Sequence, residues 1–292
     1  EEISIRNATF DTRDFIDGVV VSGHLGELFL ESHGVVFSPE TARINEFSVK
    51  NTDVSLTLGS IESTDTVPSE PLYWKILLDE IDFENVGFAL KMPQDSLFVR
   101  TMLPKTTLKN GVIDLKEASY YVKSFGIDNA ELAYGPKEEL FLQQIGLQLD
   151  SIYYCGKDIR ANIEEFVLKE RSGLELVSTE GRIVSDSVLI EIPKFTMKTT
   201  ASSLDLQTKI GWDVLEMKKT GVLSARINAE IGKGDVAKIL GGRDTLFLQT
   251  YPNKPFVFRA DAEGNLNSLR LRTLEAGLAK AFELKAKGNL LY

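Results

Sequence analysis

"FSVKNTDVSL" (residues 47–56) runs apolar, any, apolar, any, Asn, any, any, apolar, any, apolar, and the reading of this decamer decides the fold. The pattern returns in "ISIRNATFDT" (3–12), "IDFENVGFAL" (81–90), "TTLKNGVIDL" (106–115) and "FGIDNAELAY" (125–134). A Thr stands for one apolar residue in the 3–12 and 106–115 copies. Alternation at period two places apolar side chains on one face of a strand. Asn tolerates positive φ and is favoured in tight turns. A two-residue loop at Asn51–Thr52 sets Val49 opposite Val54 and Phe47 opposite Leu56, all on one face. The same pairing joins Ile5 with Phe10, Phe83 with Phe88, Ile81 with Leu90, Leu108 with Ile113, Ile127 with Leu132 and Phe125 with Tyr134. A four-residue loop keeps this register, whereas a three-residue loop scatters the apolar residues over both faces. The decamers therefore predict a series of hairpins.

Alternation continues outside them, in "KEASYYVKS", "LFLQQIGLQLDSIYY", "NIEEFVLKE", "SGLELVST", "SVLIEIPKFTMKTT", "SSLDLQTKIGW", "LSARINAEI" and "FVFRADAEGNLNSLRLRT". These read as strands broken by turn chemistry. Helical signals are few. "GDVAKILGG" predicts a short helix capped by Asp235 and ended by Gly241, and "DVLEMKK" is a weaker candidate. "TLEAGLAKAFELKAK" has high helix propensity, but Phe282, Leu284 and Ala286 alternate, which favours strand near its end. Successive Asn residues are 44, 34, 25 and 19 positions apart, so no fixed period supports a propeller or strict solenoid. Residues 1–292 are read as one continuous repetitive β domain, with "ESTDTVPSEP" (62–71) as a long loop or a join between subdomains.

The totals agree with a folded chain: 292 residues, 43% hydrophobic and 26% charged. A net charge of −10, spread through the sequence, makes nucleic acid an unsuitable partner. The single Cys, Cys155, excludes an internal disulfide and reads as half-buried packing. No apolar run approaches the ~18–20 residues of a spanning helix. The strand-like opening and the ending in mid-alternation are read as a piece of something longer.

Signals for covalent chemistry are poor. "GKGDVA" (232–237) matches a dinucleotide fingerprint, but its helix meets Gly241 within about two turns and no parallel βαβ unit follows. His24 and His33 lie beside Gly and are read as solvated turn residues, with no ligand-spaced Cys or carboxylate nearby. Asp261, Glu263, Asn265 and Asn267 alternate like a calcium loop, yet the bend lacks its Gly and Arg272 stands where the closing Glu belongs. A polar strand face explains them more simply. The "NAT" sequon at 7–9 is read through its hairpin. Phe10, Phe83, Phe88, Phe125, Tyr134, Phe195 and Trp212 fall on apolar faces, where core packing is the ordinary fate. No nucleophile elbow, P-loop or carboxylate pair emerges, so a non-enzymatic chain without cofactor or metal is expected.

An apolar face on sheet after sheet, with little helix to cover it, must be hidden by a sandwich, a closed barrel or an occupied trough. The chain resembles the TamB family of AsmA-like envelope proteins. The stretches that carry the likeness are "FSVKNTDVSLTLG", "LDEIDFENVGFAL", "FVLKERSGLELVSTEGRIVSDSVLIEIPKFTMKTTASSLDLQTKIGW" and "ADAEGNLNSLRLRT". The resemblance covers most of the chain and rests on the order and number of these units. It implies a long β-groove with an apolar interior, an inner-membrane anchor outside this sequence, a periplasmic location, and a role in phospholipid transfer or outer-membrane assembly.

The expectation is thus an all-β fold of successive antiparallel hairpins curved into an elongated half-pipe, with phospholipid acyl chains along its lining. Ile5, Phe10, Val49, Val54, Leu56, Phe83, Phe88, Leu108, Ile113, Ile127 and Leu132 are the lining candidates. An outer-membrane assembly barrel protein is the expected protein partner. An envelope β-sandwich for binding or adhesion is the alternative.

Overall fold

A computed structural model of the chain describes residues 1–292 except 15–17, 38, 60–72, 93, 95, 219, 242–244 and 292. The stretch 62–71 lies outside the described residues. The fold is all-β, with fifteen strands and three short helices among the described residues. It divides into two units, Glu1–Cys155 and Gly156–Tyr292, each taken by itself below.

In the first unit seven strands follow chain order across one sheet. They are β1 (Glu2–Arg13), β2 (Val20–Phe37), β3 (Glu40–Thr57), β4 (Lys75–Met92), β5 (Leu97–Asp114), β6 (Ser119–Tyr134) and β7 (Leu140–Cys155). Neighbours are antiparallel except β3 and β4, which run parallel with Val49 beside Phe83 and Val54 beside Phe88. Strands of up to 18 residues are long for a globular protein. Their length explains a correction to the sequence reading.

The Asn residues are not at hairpin loops. Each decamer is the middle of one unbroken strand, and its Asn has an isolated positive φ: 51° at Asn7, 50° at Asn51, 54° at Asn85, 52° at Asn110 and 55° at Asn129. A type I′ turn, the two-residue hairpin turn that Asn opens, needs positive φ at two successive residues, and here only one has it. Val49 and Val54 are therefore five residues apart along one strand rather than opposite each other. Val49 instead pairs with Leu28 and Phe83, and Phe47 with Leu30 and Ile81. The remaining predicted pairs fail for the same reason.

What the Asn does is slip the alternation by one place. Lys50 and Asn51 both turn to the polar face, after which Thr52, Val54 and Leu56 resume on the face of Phe47 and Val49. An extra residue on one side bends a strand, as in a β-bulge, and here neighbouring strands slip together so that their register is kept. In register with Asn51 stand Asn7 on β1, Gly26 on β2, Asn85 on β4 and Pro104 on β5, followed by Asn129 on β6. Gln144 on β7, with φ 53°, lies at the same level.

A second slip crosses the sheet at Asn45, Asp79, Asn110, Lys123 and Ser151. Here Asn110 and Ser151 have positive φ. Two fold lines thus divide the sheet into three facets. The middle facet is about five residues wide, or roughly 16 Å.

The second unit is an antiparallel meander in chain order. Its first four strands are β8 (Asp158–Glu170), β9 (Glu175–Ser185), β10 (Leu189–Thr199) and β11 (Ser203–Gly211). β12 (Leu223–Ile231), β13 (Phe256–Gly264), β14 (Ser268–Leu278) and β15 (Phe282–Leu291) complete it. Helix α1 (Trp212–Leu215) follows β11, and α2 (Lys233–Leu240) and α3 (Thr245–Thr250) lie between β12 and β13. The segment 273–287 resolves as strand, turn and strand, in line with the alternation of Phe282, Leu284 and Ala286.

Helix α2 ends at Gly241 in the left-handed conformation, φ 56°, as its sequence predicts. Asp235 is not its cap. Gly232 occupies that position, and Asp235, 2% exposed, sits in the first turn with its carboxylate directed at the β10–β11 turn. There it accepts hydrogen bonds from the hydroxyls of Thr199, Thr200 (3.4 Å) and Ser202 (2.5 Å). The carboxylate holds the helix to the sheet, which is stronger anchoring than a local cap.

Candidate functional site: an apolar face bounded by fold lines

Register converts the phase slips into rows that cross the first unit from edge to edge. On the middle facet one row is Ile3, Leu30, Phe47, Ile81, Leu108, Phe125 and Leu149; the next is Ile5, Leu28, Val49, Phe83, Thr106, Ile127 and Leu147. Beyond the first fold line come Phe10, Gly23, Val54, Phe88, Thr101, Leu132 and Leu142, then Val21, Leu56, Leu90 and Val99. Across the second line, Ile76 pairs with Ile113 and Leu78 with Gly111. All eleven predicted lining residues lie on this one face.

They are distributed over three facets, with Ile113 alone on the third. The sequence reading missed β2, which contributes Val21, Leu25, Leu28 and Leu30. Its signal was the same slip, between Leu25 and Leu28, with Gly26 where the other strands carry Asn.

This face is only partly covered. Val49, Leu78, Ala130 and Ala133 are the buried apolar residues of the first unit among the described residues, while Phe10, Val54, Leu56, Phe83, Phe88, Leu108, Ile113, Ile127 and Leu132 are half-buried and Ile5 is exposed. Central residues of two stacked sheets are sealed by the facing layer. Here the neighbours on the same sheet supply most of the cover, as where Phe47 and Phe83 meet edge to face with ring centroids 6.2 Å apart.

The second unit repeats the arrangement without Asn. Its rows include Met197, Leu204, Ala229, Phe258, Ala276 and Leu284, and then Phe195, Leu206, Ile227, Ala260, Leu274 and Ala286. Gly181 faces Phe195, whose ring lies 2.8 Å from where a Cβ would stand, so a larger residue on β9 would displace that ring. Register shifts between Glu191 and Lys194 and between Leu271 and Leu274 perform the slips.

The opposite face is polar, and its pairs gather at the fold lines. Asn85 Nδ2 donates to Asn51 Oδ1 at 3.2 Å, beside a Lys50–Glu84 ion pair. On the second line Arg43 donates from both Nε and Nη2 to the Asp79 carboxylate, Asn45 Nδ2 donates to it at 3.0 Å, and His33 Nδ1 lies 2.5 Å from Asn45 Oδ1. His24 and His33 are exposed, as expected, but both stand within β2 rather than at turns. Burial pushes the Asp82 carboxyl above its ordinary value, and neighbouring Glu80 adds to the shift.

A shallow hollow of about 320 Å³ also opens in the first unit, lined by Ser22, His24, Asp53, Ala89, Arg100 and Glu131 among others. Most of its lining belongs to the polar face, although Gly23, Val54, Phe88 and Thr101 of one apolar row also border it.

The other sequence candidates have local partners. Asp261 pairs with Arg226 at 3.1 Å and Glu263 with Arg272 at 2.5 Å, while Asn265 Oδ1 accepts the backbone N–H of Asn267 and Ser268. They form a polar strand face and a turn. Cys155 is half-buried, with Sγ 3.6 Å from the Glu117 carbonyl.

The chain is thus an open-sheet, all-β protein in which one face of each unit is apolar and incompletely covered by protein. The chain matches no protein-family model and none of the curated proteins.

Proposed function

We propose that the chain is a non-enzymatic, lipid-carrying segment of an envelope protein, with phospholipid acyl chains lying on the apolar face and headgroups turned to water. One observation carries this reading: one apolar row, from Ile3 through Phe47 and Leu108 to Leu149, crosses all seven strands, and most of the apolar residues beside it stay half-open. Covering such a face removes apolar surface from water at about 25 cal/mol per Å², a gain that an acyl chain supplies as well as protein does. Recognition by apolar burial is weak in headgroup selectivity. A periplasmic setting, an inner-membrane anchor in the intact protein and an outer-membrane barrel partner belong to the same proposal through the TamB resemblance.

Native mass spectrometry of the purified chain tests it. Bound phospholipid is expected in the wild type, with loss in Val54→Asp and Phe88→Asp but not in Ser55→Asp, which points to the polar face. Folded Val54→Asp and Phe88→Asp proteins that keep their lipid would remove these positions from the path.

A further inference from the structure

Two hydroxyls interrupt the apolar faces in an unusual way. Thr106, 8% exposed, stands in the middle facet between Phe83 and Ile127. Thr179, 3% exposed, faces Met197 in the second unit. Neither Oγ1 has a hydrogen-bond partner among the described residues.

Other threonines of the same faces are satisfied by the backbone. Thr52 donates to the Lys50 carbonyl at 3.0 Å and accepts the Gly26 N–H, Thr101 donates to the Glu131 carbonyl at 2.8 Å, and Thr208 donates to the Ser224 carbonyl at 2.9 Å. A buried hydroxyl without a partner is costly, and such groups are few in native proteins. One occurs on each unit's apolar face, where the remaining surface has only hydrocarbon to offer.

Both Oγ1 atoms are covered in the ligand-free chain, and rotation about χ1, which exchanges Oγ1 with the methyl group among staggered positions, is the movement that would bring each hydroxyl to a lipid on the face. A plain hydrocarbon gives it no acceptor. An acyl ester does, because its carbonyl oxygen accepts a hydrogen bond at the boundary between chain and headgroup. We propose that Thr106 and Thr179 are specificity-determining residues that donate to ester carbonyl oxygens, so that the two faces take acyl-ester lipids in preference to their ether-linked counterparts. This rests on the lipid-carrying function proposed above. A site built to hydrogen-bond a polar group discriminates against the analogue lacking it, because the protein's own group is again left unmatched.

The test compares a diacyl phosphatidylglycerol with its dialkyl ether analogue of equal chain length, titrated into the full delipidated chain and read by native mass spectrometry. The wild type is expected to bind the ester about tenfold more tightly, the effect of roughly one recovered hydrogen bond. The double variant Thr106→Val/Thr179→Val keeps side-chain shape and is expected to bind both lipids alike. Thr106→Ser/Thr179→Ser restores the preference. Equal binding of both lipids by the wild type, or a preference that survives in the valine pair, overturns the proposal and leaves lipid carriage standing. Binding of neither lipid by the wild type overturns both.

Discussion

Deleting Asn85 separates the fold-line account from the hairpin account more sharply than any substitution. Without it, Val86 moves into the place in register with Asn51 and Pro104, where the neighbouring strands slip, and a β4 that keeps their register turns Val86, Phe88 and Leu90 onto the polar face. Each of these three is half-buried. Full burial of such a side chain contributes about 1.5–3 kcal/mol, so half-burial of three amounts to about 2–4 kcal/mol lost. Both neighbours, β3 and β5, are disturbed, because their registers run through position 85. Asn85→Gly is the control: glycine adopts φ 54° freely, and only the exposed bond to Asn51 is lost, a change of a few tenths of a kcal/mol. Equilibrium urea unfolding of the two variants measures the difference. A deletion variant within about 0.5 kcal/mol of Asn85→Gly would refute the idea that this residue keeps the apolar rows in phase.

Thr106→Val in the ligand-free chain removes an unmatched buried hydroxyl at nearly constant shape, and a stabilisation of about 1 kcal/mol is expected in the same urea assay. Asp235→Ala leaves three hydroxyls without their acceptor and frees α2 from the β10–β11 turn, a loss of about 2–3 kcal/mol. Hydrogen exchange at the α2 amides should rise while that of β4 stays constant. The Asp186 carboxylate accepts the backbone N–H of Leu189 and Val188, which holds its pKa below the ordinary value. With the folded pKa depressed, its stabilising effect is complete above the unfolded value of about 3.9 and fades as pH falls through the folded one. An NMR titration should place Asp186 below a free aspartate, and Asp186→Asn should flatten the acid limb of stability.

The strands and the apolar face were legible in the primary structure because period-two alternation survives along nearly the whole chain. The one-place slip was legible too, but its cause was not. A lone left-handed Asn inside a strand and an Asn opening a two-residue hairpin leave the same spacing between apolar residues. A distinguishing mark was present: Thr52 and Val86 are β-branched and resist the second positive φ that a hairpin turn demands, and only Asn110 is followed by Gly.

The irregular Asn spacing also has its explanation in the fold. Four of the Asn residues lie on one fold line and Asn110 lies on the other. Gly26, Pro104 and Gln144 fill the same line with different chemistry, and only register reveals their equivalence. The unmatched hydroxyls of Thr106 and Thr179 were invisible for a simpler reason, since a hydrogen bond's absence is a property of geometry.

The cross-section of the first unit is written separately into each strand from β3 to β7, since each of these carries its own pair of slips at matching heights. A gutter drawn through a die has the same economy: its profile is constant and its length is free. Adding or removing a strand alters the reach by about 4.8 Å without redesigning the section. Selection can then lengthen such a conduit by copying a few tens of residues, provided the copies keep their two kinks in line.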